Sequence, residues 1–355
     1  MISSHLDLRP YRFLFPFETV YQNLILIEAI FCCDILVYHK MSFPYNTIEK
    51  ENIACSFCLS NNYKILSKKG TDGLALNSVI CKKCGLIYIN PRMTKSGYKF
   101  YYEEEYRQKT INNGESGSDF DCKKLFESTI GHGKFLGELI SPYLKVKGSI
   151  MEVGSGVGGV LEGMKRFLNR EVIGLEPSKI ESDYANSQGI KTYHALIEDH
   201  NKKEKFAVIV STQALNHYLD PRYFFKWAHE SLFDNGLLVV EVMNFRQQLQ
   251  KAGKYENSVK IDHVYMYTPE VLRDFIVSAG FEILFFEADE YTKKKVMQGI
   301  PKVHIRIVAK RLNKTPFKDL TIGKGNYIFT LLSINKYYIY LRYLLTVRLQ
   351  QFLKR

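Results

Sequence analysis

The sequence predicts an α/β fold: a largely parallel sheet with helices on both faces, preceded by a small cysteine-built module. Three observations carry this. From residue 150 onward, apolar runs of strand length alternate with runs of helical spacing, as in a series of βα units. A glycine-rich stretch, Glu152-Val-Gly-Ser-Gly-Val-Gly158, joins the first such strand to the first such helix. Upstream, four of the seven cysteines fall into two C-x-x-C pairs.

The chain has 355 residues, enough for one main domain with appendages. Its hydrophobic (46%) and charged (24%) fractions are ordinary for a globular protein. The net charge of +12 is not. It favours acidic partners such as nucleic acid, an anionic membrane or phosphorylated substrates, and it is equally compatible with plain solubility. Paired C-x-x-C motifs, with Cys32, Cys33 and Cys122 scattered, argue for metal chemistry in a reducing compartment rather than a secreted disulfide framework. A cytoplasmic location is expected.

Residues 1–50 read as an N-terminal extension. Thr19 to Val37 is largely apolar, but Glu28 and Asp34 interrupt it, so it suits neither a membrane span nor a signal peptide. Residues 1–40 are expected outside the main fold, as a peripheral helix or as a reading frame begun upstream of Met41. Residues 51–108 form the metal module. Cys55-Ser-Phe-Cys58 and Cys81-Lys-Lys-Cys84-Gly85 are 22 residues apart. Two such knuckles bring four thiolates to one tetrahedral site, and Gly70, Asp72 and Gly73 supply the hairpin turn between them. With all four positions filled by Cys55, Cys58, Cys81 and Cys84, a zinc ion there would be structural; the alternative is four free thiols.

A short strand follows in Leu86–Arg92, then the tyrosine-rich stretch containing Tyr98, Tyr102 and Tyr106. Residues 109–144 combine a polar linker (Asn112, Asn113, Gly114, Ser116, Gly117, Ser118) with a lid helix built on Leu125, Phe126, Ile130, Phe135, Leu136, Leu139 and Ile140. Residues 145–310 hold the alternating pattern. Strands are expected at Ile150–Val153, Val172–Leu175, Phe206–Val210, Leu237–Val242, Phe281–Phe286 and Val303–Ala309. Helices are expected at Val160–Leu168, Ser178–Gln188, Pro221–Leu232 and Pro269–Ala279. The last two strands have no long helix between them and should pair antiparallel at the sheet edge. Residues 311–355 carry nine Lys/Arg against one acid, with Leu331, Ile334, Tyr338, Leu341 and Leu345 at spacings of three and four. Such a basic amphipathic helix suits an anionic membrane surface through 327–355, a partner, or packing on the main domain.

The glycine stretch acquires meaning from its surroundings. Alternating Gly154, Gly156 and Gly158 after Glu152 differ from the G-x-G-x-x-G of nicotinamide enzymes. The next strand ends in Gly-Leu-Glu176-Pro-Ser, placing an acid 22 residues after Gly154, at the position from which a carboxylate reaches a ribose. This E-x-G-x-G-x-G and G-L-E-P-S pair resembles the class I S-adenosylmethionine-dependent methyltransferases. Phe206-Ala-Val-Ile-Val-Ser-Thr-Gln-Ala-Leu-Asn-His217-Tyr-Leu-Asp-Pro221 resembles their fourth strand and loop, with Ala207 for the usual Asp and Asn216 for the usual Glu. His263-Val-Tyr-Met-Tyr-Thr-Pro and Ala279-Gly-Phe281 resemble the closing helix and strand. The cysteine module with the tyrosines behind it resembles the N-terminal zinc-binding segment of bacterial polysaccharide and modified-sugar methyltransferases. Those that methylate sugar carbon carry a further large C-terminal domain, which the roughly 45 residues after the sheet do not match.

The resemblance implies a Rossmann-like methyltransferase sheet and S-adenosyl-L-methionine as cofactor. Glu152, Gly154, Ser155, Gly156 and Gly158 would cradle its methionine end, Glu176 its ribose, and Leu196, Ile197 and Glu198 (or Asp199) its adenine. His217 and His263, the latter preceded by Asp262, are the candidate catalytic groups; structural histidines are the alternative. Tyr102 and Tyr106 would close over the cofactor or simply pack. The implied acceptor is a small molecule, sugar or glycan precursor. An RNA methyltransferase using the ribbon and basic tail is a second reading, less favoured because the N/D-P-P-Y motif of exocyclic amine methylation is absent and the charge concentrates in the tail. A non-catalytic cofactor-binding or scaffold protein is a third.

Overall fold

The computed structural model describes residues 43–102, 121–200, 203–252, 254–288 and 304–334. The chain divides into Met1–Met41 and Ser42–Arg355. The expectations for residues 1–40, for Tyr106, for the polar linker through residue 120 and for the tail beyond 334 lie outside the described residues.

In chain order the elements are β1 (Lys50–Glu51), β2 (Tyr63–Ser67), β3 (Ser78–Cys81), β4 (Ile87–Ile89), β5 (Arg92–Met93), α1 (Lys95–Tyr101) and α2 (Cys122–Ile140). Then come β6 (Ile150–Val153), α3 (Gly159–Leu168), β7 (Val172–Glu176), α4 (Lys179–Ser187), β8 (Thr192–His194), β9 (Phe206–Thr212), α5 (Pro221–Ser231) and β10 (Leu232–Met243). The remainder is α6 (Phe245–Ala252), β11 (Tyr265–Met266), α7 (Pro269–Ser278), β12 (Phe281–Ala288), β13 (His304–Arg311) and α8 (Asn326–Ser333).

Among the described residues seven strands form the main sheet in the order β12-β13-β10-β9-β6-β7-β8. β10, β9, β6, β7 and β8 run parallel, and β13 pairs antiparallel with both β10 and β12. The expected antiparallel closing pair is therefore present, with β13 inserted and β12 at the edge. β6 is fully buried and lies between β7 and β9, so the strand order reverses there. That reversal opens the crevice in which α/β sheets bind ligands.

Local chemistry sets the helices. Asp220 accepts hydrogen bonds from the Arg222 and Tyr223 N–H groups, and Pro221 sits in the first turn of α5, where its missing N–H costs nothing. α3 buries Val160, Leu161 and Met164 and turns Glu162 and Arg166 outward as an i,i+4 pair at 2.6 Å. α2 crosses α3 so closely that a Cβ on Gly133 would stand 2.0 Å from the Val160 carbonyl oxygen. Glycines therefore fix this helix pair, and Phe126, Leu136 and Ile140 of α2 join Ile150, Leu161, Val208, Leu237 and Val239 in one core. β10 starts five residues earlier than the apolar run suggests. Leu232 pairs with Phe206, the chain bulges through Asn235 at φ 61°, and the register resumes at Leu237.

The cysteine module shares its sheet with the rest of the fold. β2 and β3 form the antiparallel hairpin expected; β4 pairs antiparallel with β3, and β11, from residues 265–266, adds to β4 to give the order β11-β4-β3-β2. The Arg222 guanidinium donates to the carbonyl of Phe57 at 2.7 Å, between the first two cysteines. The start of the tail packs nearby: Asp274 of α7 accepts from the Gly323 N–H at 2.6 Å and from the Asn326 side chain at 2.7 Å. No helix among the described residues is long and apolar enough to cross a membrane.

Candidate active site

The glycine turn leaves β6 at the strand reversal. Gly154, Gly156 and Gly158 hold φ of 76°, 52° and 84°, a region that side chains with a Cβ enter at a cost. At Gly154 contact adds to conformation: a Cβ there would lie 2.5 Å from that of Ala214. The turn is thus pressed against the loop that follows β9, the loop carrying His217. Gln213 opens that loop at φ 57°, its N–H donating 2.7 Å to the Glu241 carbonyl. A non-glycine residue in that region beside a ligand cradle is a common mark of a functional loop.

Two carboxylates flank the turn. Glu176, at the end of β7, accepts the Gly156 N–H at 2.8 Å and the Ser178 N–H at 2.7 Å. Burial, then the neighbouring Glu181 charge, pushes its carboxyl up to about 8, against the pull of those two N–H donors. Glu152, in β6, accepts the Thr212 hydroxyl at 2.6 Å through Oε1. Burial pushes it up to about 8 as well. Its Oε2 is buried without a partner, as are Ser155 Oγ, Gln213 Nε2 and Asn216 Oδ1. Orphaned buried polar atoms are costly. Two of these are in or beside the glycine turn and two are in the facing loop, so a polar ligand bound there would satisfy them. This donor and acceptor set, with open backbone at the turn, fits the methionine and ribose parts of S-adenosylmethionine.

Glu198 is half-buried on the 3-10 turn Ile197–Asp199, and burial raises its carboxyl. Ile197 is buried, Leu196 is half-buried, and Asp199 is exposed and paired with Lys95 of α1 at 3.0 Å. Ala207 is fully buried, and its N–H donates to the Ser149 carbonyl at 3.0 Å. Packing at the start of β9 thus accounts for the missing acid.

His217 and His263 come together although 45 residues separate them in the chain. Their ring centroids are 5.0 Å apart, edge to face. Asp262 joins them, with Oδ2 3.8 Å from His217 Nδ1. Tyr102, at the end of α1, meets His217 Nδ1 at 3.2 Å. Burial lowers both histidines, His263 to about 3, so both imidazoles are neutral around pH 7. Burial acts to raise Asp262, but His263, His217 and Lys260 together hold it below its usual value.

The segment carrying Asp262 and His263 is pinned on two sides. The Ile89 N–H of β4 donates to the Val264 carbonyl at 3.0 Å, and the Tyr265 N–H donates to the Asn216 carbonyl at 3.2 Å. Arg92 of β5 donates to the Leu219 carbonyl, to Glu51 at 3.0 Å and to the Tyr265 hydroxyl at 3.4 Å. The sequence carries no local sign of this link, because it rests on a two-residue strand, β11, and one arginine.

The four cysteines converge as their spacing demands. Their Sγ atoms all lie within 4.8 Å of one another, with Cys55–Cys84 and Cys58–Cys81 at 3.5 Å. Metal–thiolate bonds of about 2.3 Å in a tetrahedron separate sulfurs by about 3.8 Å. All four side chains are buried. Four sulfurs and no open position fit a structural zinc ion.

Residues 134–284 match the family model described as a methyltransferase domain. A ubiquinone biosynthesis O-methyltransferase of Bradyrhizobium diazoefficiens is 27% identical over 132 residues, covering 36% of this chain and 48% of that protein. The chain thus matches about half the length of that curated relative. Among solved structures, the plantazolicin methyltransferase BpumL in complex with SAH superimposes with a TM-score of 0.44 at 12% identity, over 61% of this chain and 94% of that one. An S-adenosylmethionine-dependent methyltransferase from Clostridium acetobutylicum gives 0.41 at 15% identity, over 60% and 100% of the two chains. With the strand order, the glycine turn after β6 and Glu176 at the tip of β7, the family match makes residues 134–284 a class I, S-adenosylmethionine-dependent methyltransferase domain.

Proposed function

We propose that this chain transfers a methyl group from S-adenosylmethionine to an oxygen of a small-molecule or sugar-derived acceptor. The observation that carries this reading is the row of unpartnered buried atoms, Glu152 Oε2, Ser155 Oγ, Gln213 Nε2 and Asn216 Oδ1, in the glycine turn and the facing loop that bears His217. The bound cofactor supplies a methyl made electrophilic by its sulfonium. The chain's own task is then to bind, to orient and to manage one proton.

In this reading the backbone of Gly154, Ser155, Gly156 and Gly158 lies along the methionine end, with Glu152 toward its ammonium group. Glu176 takes the ribose hydroxyls, keeping its bond from Gly156. Leu196, Ile197 and Glu198 flank the adenine. His217 and His263 present neutral imidazole nitrogens to the acceptor, where each can receive the hydrogen of its hydroxyl. Holding that oxygen in line is itself worth on the order of 7–11 kcal/mol in favourable systems. The four-cysteine site is structural: through β4 and β11 it holds the His263 segment.

The relative named for O-methylation favours an oxygen acceptor. The test is transfer of labelled methyl from S-adenosylmethionine to phenols, nucleotide sugars and total RNA in parallel. Labelled phenol or sugar supports the proposal. Label confined to RNA, in a salt-sensitive manner, replaces it with the nucleic-acid reading.

A further inference from the structure

We propose that His217, Asp262 and His263 form a second metal site, distinct from the four-cysteine centre, which takes a first-row divalent cation at the acceptor end of the pocket. Three observations lead there. One ligand atom from each residue lies within 4.8 Å of those of the other two. Bonds of about 2.0–2.2 Å to nitrogen and oxygen place ligand atoms roughly 3–4 Å apart, so adjustments below about 1 Å close the set.

The second observation is burial. His263 is 6% exposed, and its ring meets that of His217 edge to face at 5.0 Å. Asp262 is 8% exposed, and its nearest ionisable neighbour, His217 Nδ1, stands 3.8 Å away, beyond hydrogen-bond reach. A buried carboxylate requires a cation or several donors. Here it faces two imidazoles, and a cation held between them would balance its charge.

The third is the character of the set. Two imidazoles and one carboxylate suit zinc, iron, cobalt or manganese, whereas magnesium and calcium prefer oxygen throughout. Three protein ligands leave positions open, unlike the closed set of four thiolates. The Tyr102 hydroxyl, 3.2 Å from His217 Nδ1, is a further oxygen beside the set. The role at the acceptor rests on the methyl-transfer reading above. An acceptor hydroxyl on an open position is acidified by the cation, and its O–H bond breaks with the proton passing to water while the electron pair stays on oxygen. With the cation bound the histidines hold it, and the direct proton transfer to imidazole described above applies only to the metal-free site.

The test uses tag-free full-length protein, stripped by a mild chelator and titrated with cobalt(II), with metal analysis and absorption spectra. The expected result is two cobalt ions per chain. One is bound by thiolates and absorbs strongly in the near ultraviolet; the other lacks that band. Asp262→Asn and His263→Ala each remove the second equivalent and keep the thiolate band, which also reports that the fold is intact. A wild type binding only the thiolate-type equivalent overturns the site, as does a second equivalent indifferent to both variants. Binding of S-adenosylmethionine, measured separately, distinguishes the two ideas: two metals without cofactor binding sink the methyl-transfer reading alone, and methyl transfer with one metal sinks the second site alone.

Discussion

Replacing Gly154 with alanine tests the contact between the glycine turn and the His217 loop. The new Cβ would lie 2.5 Å from that of Ala214, where carbon contacts settle at about 3.5–4.0 Å. Relieving about 1 Å of overlap in a packed site costs about 1–3 kcal/mol. Holding alanine at φ 76° adds about 1–2 kcal/mol. The sum is about 2–5 kcal/mol, read as a loss in denaturant or thermal unfolding of the full chain. The overlap has one partner, so a rescue is available. Adding Ala214→Gly to Gly154→Ala should recover the overlap part and leave the backbone part, a coupling of about 1–3 kcal/mol after correction for Ala214→Gly alone. S-adenosylmethionine affinity should fall in the single variant and partly return in the double. A single variant destabilised by less than about 0.5 kcal/mol with unchanged cofactor affinity would refute the reasoning, and so would a double variant showing no coupling.

Other outcomes follow from the same geometry. His217→Ala and His263→Ala should each lower kcat by about 10²–10⁴-fold with cofactor affinity within about twofold of wild type; equal losses in both would point to a structural role. Cys84→Ser leaves three thiolates and should lower stability by more than about 4 kcal/mol, with metal analysis showing the thiolate-bound ion gone; a metal-free, equally stable wild type would contradict this. Arg92→Met removes the donor to the Leu219 carbonyl and should cost about 1–3 kcal/mol, with kcat falling and cofactor affinity retained. The pH dependence has a definite sign. Burial lifts Glu152 and Glu176 in the fold to about 8, above their usual value of 4.5, so the folded state binds the extra protons between those limits. Their contribution is fully present below about pH 4.5 and lost as pH rises through 8. Glu152→Gln should remove up to a few kcal/mol of that change across the window, and an unchanged pH dependence would show that Glu152 does not carry it.

What the sequence disclosed divides by range. β6, the glycine turn, α3 and β7 are contiguous, and their strand–turn–helix pattern places Glu176 beside Gly156 without knowledge of anything else. Pro221 and Pro269 mark helix starts by the same local logic, and the two C-x-x-C pairs announce a cluster because four thiols have few other uses. β8 and β11 are not legible. Three and two residues carry no periodicity, and β11 exists only because β4 lies beside it. The bulge at Asn235 hides the first part of β10. His217 and His263 can each be suspected, but their meeting with Asp262 and Tyr102 depends on separate chain segments brought together only by the fold. The unpartnered Oε2 of Glu152 is likewise a property of the packed state.

The cradle around Glu152–Gly158 carries the methyl-transfer reading, and calorimetry of S-adenosylmethionine binding to wild type and Glu176→Ala tests it most directly. Wild type should bind one equivalent, displaceable by S-adenosylhomocysteine. Glu176→Ala, losing the carboxylate that bonds the Gly156 N–H and that the proposal sets on the ribose, should weaken binding by about 1.5–3 kcal/mol, or roughly 10- to 150-fold. A folded wild type that binds no cofactor, or a Glu176→Ala variant that binds as tightly, would contradict it.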